Sequence, residues 1–508
     1  MKITALSATL FALQLAALPA AGATPVADEA ARVAQSRDEL FGTTPAPATK
    51  PAPATKPSPP SSTPGSRDDL FGTTPAPAPA DKGDASREGL FGLDASKQQE
   101  PERGIRWSGF FNEEIAYTYA SPGHWSRAVS RLQLEGRGEF APGVKYKISA
   151  RADLDPLYHE SNFYPERVRD DQDFEFFLRE NYLDFGAGDL DFRIGRQHIV
   201  WGEVVGLFFA DVVSARDQRE FILPSFDIIR IPQWAARAEY FGDNFHTEVV
   251  WIPYQSYDEI GKPGAEFYPT GLIAEDVPGA VFASDDRPAR NISNSAYGLR
   301  MNTLLNGWDL AAFYYRSHSA TPTFHREIDL SGGTPTAVFT PRHERIWQAG
   351  STLSKDFGPF VLRGEAVYTH GQKYSVDTFD DVDGVVKRNS FDYILSFDIA
   401  MSGDTRLNVQ GFHRMIFGDD GDIVPKSDGF GASVLVSTKI TPTLEPQLLW
   451  IQSLSHGGDR MIRPRLNWYV TQNAMLAFGV DIFAGPDDGF FGRYGNRDRI
   501  YTELRYDF

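Results

Sequence analysis

The chain has 508 residues, a net charge of −18 and no Cys, and 41% of its residues are apolar and 13% aromatic. The acidic charge argues against a nucleic-acid partner, because phosphate binding needs a basic surface. Without Cys there is no disulfide framework, so an exported chain needs another source of stability, which a closed hydrogen-bonded barrel provides. After residue 23 no apolar run reaches the ~18 residues of a transmembrane helix, which excludes that class of membrane protein.

The N-terminal segment 1–23 has the pattern of an export signal. Lys2 supplies a positive charge, an apolar run follows, and Ala21-Gly22-Ala23 forms a cleavage site of small residues. We therefore expect a signal peptide over 1–23 and a mature chain that starts at Thr24.

Residues 24–103 have the composition of a disordered segment, rich in Pro, Ala, Thr and Ser. One pattern, Ser-Arg-x-x-Leu-Phe-Gly, occurs there three times, at 36–42, 66–72 and 86–92. We expect a periplasmic arm that carries three copies of this motif.

In the first two copies an acidic residue follows Ser by three positions, which is a helix-start pattern, and every copy ends in Gly, so each can form about one helical turn. Such a turn is unstable alone and would order only on a partner. The apolar pairs that would dock are Leu40 and Phe41, Leu70 and Phe71, and Leu90 and Phe91. The expected partner is a periplasmic protein, and three copies would raise avidity. The alternative is a duplicated spacer without a binding role.

From residue 104 to 508, segments of about ten residues alternate apolar and polar side chains, as tilted membrane strands do. Eighteen such segments are predicted, joined alternately by short turns and long loops. The fold class is therefore all-β, a transmembrane antiparallel β-barrel in outer-membrane lipid, and the terminal Phe508 is typical of bacterial outer-membrane barrels. Sixteen strands would result if 176–198, where alternation is weakest, were loop.

Alternation also assigns the two faces of the wall. Phe397 and Trp468 are expected to meet lipid, while Arg side chains are expected to line a hydrated lumen. The lumen-lining residues predicted in this way are Arg237, Arg300, Arg363, Arg406, Arg414, Arg463, Arg465, Arg499 and Arg505. They would form either a track for anionic solutes or a set of cross-strand pairs with Asp and Glu that stiffens the wall.

The connection 199–232 is unusually apolar for an outer loop, and such a surface should not lie in water. We expect it to fold into the barrel as a constriction or plug, with a short amphipathic helix over 211–223. Packing beneath the other loops is the alternative.

A motif at the start of this connection carries a family resemblance. It consists of Gly195-Arg196-Gln197 and, three residues on, Trp201-Gly202-Glu203. The chain thereby resembles a porin-like family of outer-membrane proteins classed as a domain of unknown function. That resemblance implies a role in envelope transport. It also implies a partner, because members are often encoded with transporters of the resistance-nodulation-division type.

The expected function is an outer-membrane channel or transport component for small anionic or hydrophobic solutes. An outer-membrane hydrolase and a sealed barrel that serves as a structural tether are the alternatives. The His residues are scattered without metal-ligand spacing, and His246 is expected to pair with Glu248 in the wall. We therefore predict no enzymatic activity, no metal and no cofactor.

Overall fold

The computed structural model describes residues 104–204, 206–269, 280–331, 335–378, 380–419 and 421–508. The predicted signal peptide and arm, with all three Leu-Phe pairs, lie outside the described residues. The described chain forms an antiparallel barrel of eighteen strands. Both the fold class and the strand count predicted from the sequence are therefore confirmed.

The first half of the chain contains β1 (Arg106–Thr118), β2 (His124–Ala141), β3 (Val144–Leu154), β4 (Phe174–Ala187), β5 (Leu190–Gln197), β6 (Ala215–Arg216), β7 (Arg230–Ile231), β8 (Gln233–Phe241), β9 (Phe245–Tyr254), β10 (Val281–Phe282), β11 (Ala296–Leu305) and β12 (Trp308–His318). The second half contains β13 (Thr323–Asp329), β14 (Thr336–Arg342), β15 (Arg345–Asp356), β16 (Phe360–Ser375), β17 (Val385–Met401), β18 (Thr405–Ile416), β19 (Gly429–Thr438), β20 (Leu444–Ser453), β21 (Arg460–Tyr469), β22 (Ala474–Ala484) and β23 (Arg499–Asp507). All of these except β6, β7, β10, β13 and β14 belong to the barrel.

The barrel closes where the first and last strands pair. β1 and β23 run antiparallel from Phe110 opposite Asp507 to Thr118 opposite Arg499. Beyond this register, the backbone N–H groups of Gly109 and Phe508 each donate to the other residue's carbonyl, at 2.8 and 2.9 Å. A Cβ at position 109 would lie 3.0 Å from the Phe508 ring, so glycine permits this close approach. Closure leaves no open edge, as a lipid environment requires.

Apolar side chains cover the outer face of the wall. Leu395, Phe397 and Trp468 are 46%, 39% and 45% exposed, as the alternation predicted.

β4 and β5 form a regular hairpin, which excludes the sixteen-strand count. No helix in the described part of the chain is long and apolar enough to cross a membrane.

The connections differ in length at the two ends of the barrel. At one end they are turns such as Asn306-Gly307, where both residues have positive φ, 51° and 77°, as a tight hairpin between twisted strands needs. At the other end they are long, and we call this end the outer rim, because outer loops exceed periplasmic turns in such barrels. These loops contain helices α1 (Leu157–Glu160), α2 (Glu166–Gln172) and α3 (Phe226–Ile229).

The outer loops also contain structure that the sequence pattern did not predict. β13 and β14 form a hairpin inside the connection between β12 and β15, and the short β10 adds to it in parallel. Glu266 joins the loop between β9 and β11 to the outer ends of β1 and β2 and to the loop between β3 and β4. Its carboxylate accepts hydrogen bonds from the hydroxyls of Thr118 and Tyr164, at 2.9 and 2.8 Å, and contacts His124 at 3.0 Å.

Candidate functional site

Residues 199–232, which we call the crossing segment, leave the outer end of β5 and return to β8. Instead of lying over the rim, the segment packs against inward-facing side chains on both sides of the barrel. The expectation that it folds into the barrel is therefore confirmed.

Trp201 anchors the segment to the wall formed by β9, β11 and β12. The side chain is fully buried, and its indole N–H donates to Glu248 Oε1 at 2.9 Å. The ring packs against Phe313 and Tyr315, with centroids 5.3 and 5.8 Å away. A Cβ at position 298 of β11 would lie 2.5 Å from the indole, so only glycine leaves room for this ring.

Glu365 of β16 provides the second anchor on this side. Its carboxylate accepts hydrogen bonds from three backbone N–H groups of the crossing segment. Those of Val204 and Ala210 lie at 2.7 Å, and the third belongs to Glu203. A buried carboxylate is thereby paired with three donors that would otherwise be buried without partners. The chain approaches closely here, since a Cβ on Gly202 would lie 3.2 Å from the carboxylate.

The rest of the family-like motif supports the same junction. The carboxylate of Glu203 accepts from the Thr352 hydroxyl at 3.0 Å and lies 3.5 Å from Arg300. Gln197 is fully buried and donates to the Ala235 carbonyl at 3.1 Å. Gly195 has a φ of 134°, which a side chain would not tolerate.

Arg196 is the exception within the motif. It pairs in register with Trp234, whose ring is 44% exposed on the outer face. The second half of the motif, Trp201-Gly202-Glu203, therefore fixes the crossing segment, while Gly195 and Gln197 belong to β5 beside it.

Charged groups anchor the segment on the opposite wall. Glu220 lies between two guanidinium groups, 2.7 Å from Arg127 and 2.8 Å from Arg499. Arg463 donates to the Leu223 carbonyl at 3.1 Å. Arg505 lies 3.0 Å from Asp227, at the end of the segment that reaches furthest toward the short turns.

An aromatic cluster covers the outer side of this second contact. Phe221 of the crossing segment packs with Phe267, Phe483, Phe491 and Tyr494, which come from one wall strand and two outer loops. The Phe221 and Tyr494 rings are 4.9 Å apart. Phe221 has a φ of 54°, a strained conformation for a residue with a side chain, which the surrounding rings must stabilise.

One prediction about the crossing segment is wrong. Residues 211–223 do not form a helix, and the helical turn of the segment is α3 at 226–229. The reason is long-range pairing. Ala215 and Arg216 form β6 against Ile231 and Arg230 of β7, so the backbone of this stretch bonds across the segment rather than along it.

The predicted lumen arginines face inward. Their carboxylate partners lie on the barrel wall or in the crossing segment. Arg237 lies 3.0 Å from Glu239, and Arg465 lies 2.8 Å from Glu503. The remaining pairs are Arg300 with Glu203, Arg363 with Asp398, Arg414 with Asp392, Arg463 and Arg499 with Asp481, and Arg505 with Asp227 and Asp507. Arg406 lies on β18, in the same inward row as Asn408. These contacts favour paired wall charges over a free anion track.

His246 has partners other than the expected one. Its ring contacts Glu239 at 3.0 Å and Asn302 at 2.8 Å, whereas Glu248 is bound by Trp201. The expected pairing with Glu248 is therefore wrong, because the indole of the crossing segment occupies that carboxylate. The absence of enzymatic activity stays a prediction.

Two titratable groups, one just before the crossing segment and one within it, have strongly shifted pKa values. Burial lowers the pKa of His198, just after β5, to about 3, so its ring is neutral. Burial opposes ionisation of Asp217, but two contacts from Arg219 keep the pKa of that carboxyl well below its usual range. His198, just before the segment, is therefore uncharged, whereas Asp217 and Arg219 form an ion pair within the segment.

A family model described as "Protein of unknown function (DUF1302)" matches residues 126–508. The chain belongs to the DUF1302 family. The match covers most of the barrel and all of the crossing segment, and it excludes 24–103. The resemblance inferred from the motif is thereby confirmed. No curated protein matches the sequence.

Solved barrels also resemble this DUF1302 protein. OmpF of Salmonella typhi, in complex with daunomycin, is 10% identical with a TM-score of 0.42, covering 80% of this chain and 97% of its own. OccK8 (OprE) of Pseudomonas aeruginosa is 9% identical with a TM-score of 0.46, covering 80% and 98%. The trimeric OmpT of Vibrio cholerae is 9% identical with a TM-score of 0.37, covering 80% and 99%. The strand pairing and the apolar outer face identify an outer-membrane β-barrel.

Proposed function

We propose that this protein is an outer-membrane transport component in which the crossing segment controls passage through the barrel. The proposal rests on the contacts of residues 199–232 with both walls. On one wall, Trp201 of the segment donates to a strand and Glu365 of the wall accepts from the segment, and on the other wall Glu220 of the segment forms ion pairs. A segment bonded to both walls crosses the lumen and can obstruct it. On this proposal, transport requires its displacement.

The charge pattern bears on the kind of solute. Because the inward arginines have acidic partners, their attraction for anions is largely cancelled. The rings around Phe221 instead offer an apolar surface beneath the outer loops. We therefore favour small hydrophobic or amphipathic solutes over small anionic ones.

The proposed role includes the predicted arm. β1 begins at Arg106, at the end of the barrel that carries the short turns, so a preceding segment would emerge on the periplasmic side. Docking of the Leu-Phe pairs on a periplasmic or inner-membrane transporter would place a partner at the periplasmic end of the barrel. Changing all three pairs to Ala in the full chain tests this. Unchanged co-purifying proteins would contradict docking.

Planar-bilayer recording tests the gating proposal. The full chain is compared with a variant in which residues 204–228 are replaced by a short Gly-Ser linker. We expect small, rare openings for the wild type and a large, steady conductance for the variant. Heat-dependent migration on a gel verifies that the variant is a closed barrel. Equal conductance of the two folded proteins would refute control by the segment, and two silent proteins would favour the structural tether.

A further inference from the structure

We propose that the outer face of β11, β12 and β15 binds the phosphate groups of a glycolipid in the outer leaflet of the membrane. The outer-rim arginine site consists of Arg316 and Arg345 with the rings of Tyr297 and Trp347. None of these residues belongs to the crossing segment, so the inference does not depend on the proposed gating.

Strand register places the four side chains together. Arg316 lies opposite Tyr297 on one side and opposite Trp347 on the other, so it is centred between two rings. Arg345 lies opposite His318, two residues further toward the rim. Because residues two apart on a strand share a face, both arginines lie on the same face of the wall.

That face is the outer one. Tyr297 and Tyr314 are 44% and 39% exposed, whereas Phe313 and Tyr315, which alternate with them, are buried against the crossing segment. Arg316 follows the exposed series. The site therefore looks toward lipid and not toward the lumen.

The two guanidinium groups lack acidic partners among the described residues, in contrast to the paired arginines inside the barrel. Within the described part of the chain, Arg316 donates to the Tyr297 hydroxyl, at 3.3 Å. Arg345 donates to the Ser293 carbonyl at 2.9 Å and to the Asn294 side chain at 3.0 Å. Neutral acceptors leave the positive charge uncompensated, and a guanidinium fork matches the oxygens of a phosphate.

The surroundings indicate a phosphate carried by a lipid rather than one free in solution. Trp347 stacks on Tyr314 at 5.9 Å and on His370 at 5.1 Å, which continues the aromatic row across the strands. Trp and Tyr rings concentrate at the level of lipid headgroups. Leu299, two residues further from the rim than Tyr297 on the same face of β11, is 42% exposed, and an acyl chain would cover it. Arginines at this depth therefore meet headgroup phosphates.

Native mass spectrometry of the full chain in nanodiscs tests the site. The discs contain phosphatidylcholine with either bis-phosphorylated lipid A or lipid A stripped of its phosphates. The test variant is Arg316→Gln with Arg345→Gln. The control is Lys355→Gln, which removes a cation that lies 4.9 Å from the Trp308 ring at the opposite rim.

We expect the wild type and the control to retain bis-phosphorylated lipid A, and the double variant to retain it roughly tenfold less, since each cation near a lipid surface adds modest attraction. Removing the phosphates from the lipid should lower retention by the wild type to the same level. Three results would overturn the proposal: equal retention by the double variant, equal retention of the stripped lipid, or an equal loss in the control. Displacement of the lipid by millimolar inorganic phosphate would instead assign the site to the free ion. Heat-dependent gel migration verifies that each variant is folded.

Discussion

The indole N–H of Trp201 donates to a carboxylate oxygen of Glu248 at 2.9 Å, inside the barrel, and both side chains are buried. This bond joins the crossing segment to a wall strand. It also gives the buried carboxylate of Glu248 a hydrogen-bond donor in place of water.

Trp201→Phe should loosen the segment, because it removes the donor and leaves a buried carboxylate oxygen without its partner, at a cost of about 1–3 kcal/mol. We expect more frequent openings in single-channel records and a lower unfolding temperature. Trp234→Phe is the control, because that ring lies on the outer face. Indistinguishable records for Trp201→Phe and the wild type would contradict the anchoring role.

Glu365→Gln tests the second anchor. A carboxamide keeps one oxygen but turns an N–H₂ group toward backbone donors, so at least one of the three hydrogen bonds is lost. We expect faster hydrogen exchange at the amides of Val204 and Ala210, measured by mass spectrometry. Glu445→Gln is the matched control, since that buried wall carboxylate accepts from Tyr469 and not from the segment. Equal exchange in both variants would argue against the anchor.

Glu220→Gln should change both stability and ion selectivity. The carboxylate lies between Arg127 and Arg499, and removing it leaves two buried cations without that partner, at a cost of about 3–5 kcal/mol. The reversal potential in a salt gradient should therefore shift toward anions. Glu327→Gln makes the same charge change on the exposed β13–β14 hairpin and should leave the potential unchanged. A shift toward cations would refute the charge-pairing account.

Acidification should weaken the contacts by which Glu266 holds the loop between β9 and β11 against the wall. Burial opposes its ionisation, but the hydrogen bond from His124 and the charge of Arg497 outweigh it and lower the pKa of this carboxyl below the ordinary value. Its stabilising contribution is therefore complete above the unfolded-state pKa and is lost as the pH falls through the lower folded-state pKa. Urea midpoints between roughly pH 3 and 7 should fall less steeply for Glu266→Gln than for the wild type. Glu259→Gln, at an exposed ion pair with Arg287, should follow the wild type.

The wall was predictable from the sequence, because each strand has its own period of two and its own turn residues. Phe397 and Arg463 face opposite sides for that reason alone. Structure that depends on distant partners was not predictable in this way. The stretch 211–223 has an amphipathic pattern, yet β6 bonds to β7, and Glu248 is bound by an indole 47 residues away rather than by His246.

The order in which the barrel can form follows from the anchors on the far wall. Leu223 meets Arg463 across 240 residues, and Glu220 meets Arg499 across 279. Both contacts close long loops of the chain, as does the pairing of β23 with β1 that completes the wall. Contacts of such long range form late, because loop closure must precede them. On assembly, the contacts of the crossing segment with β21 and β23 and the closure of β1 on β23 should therefore be among the last to form.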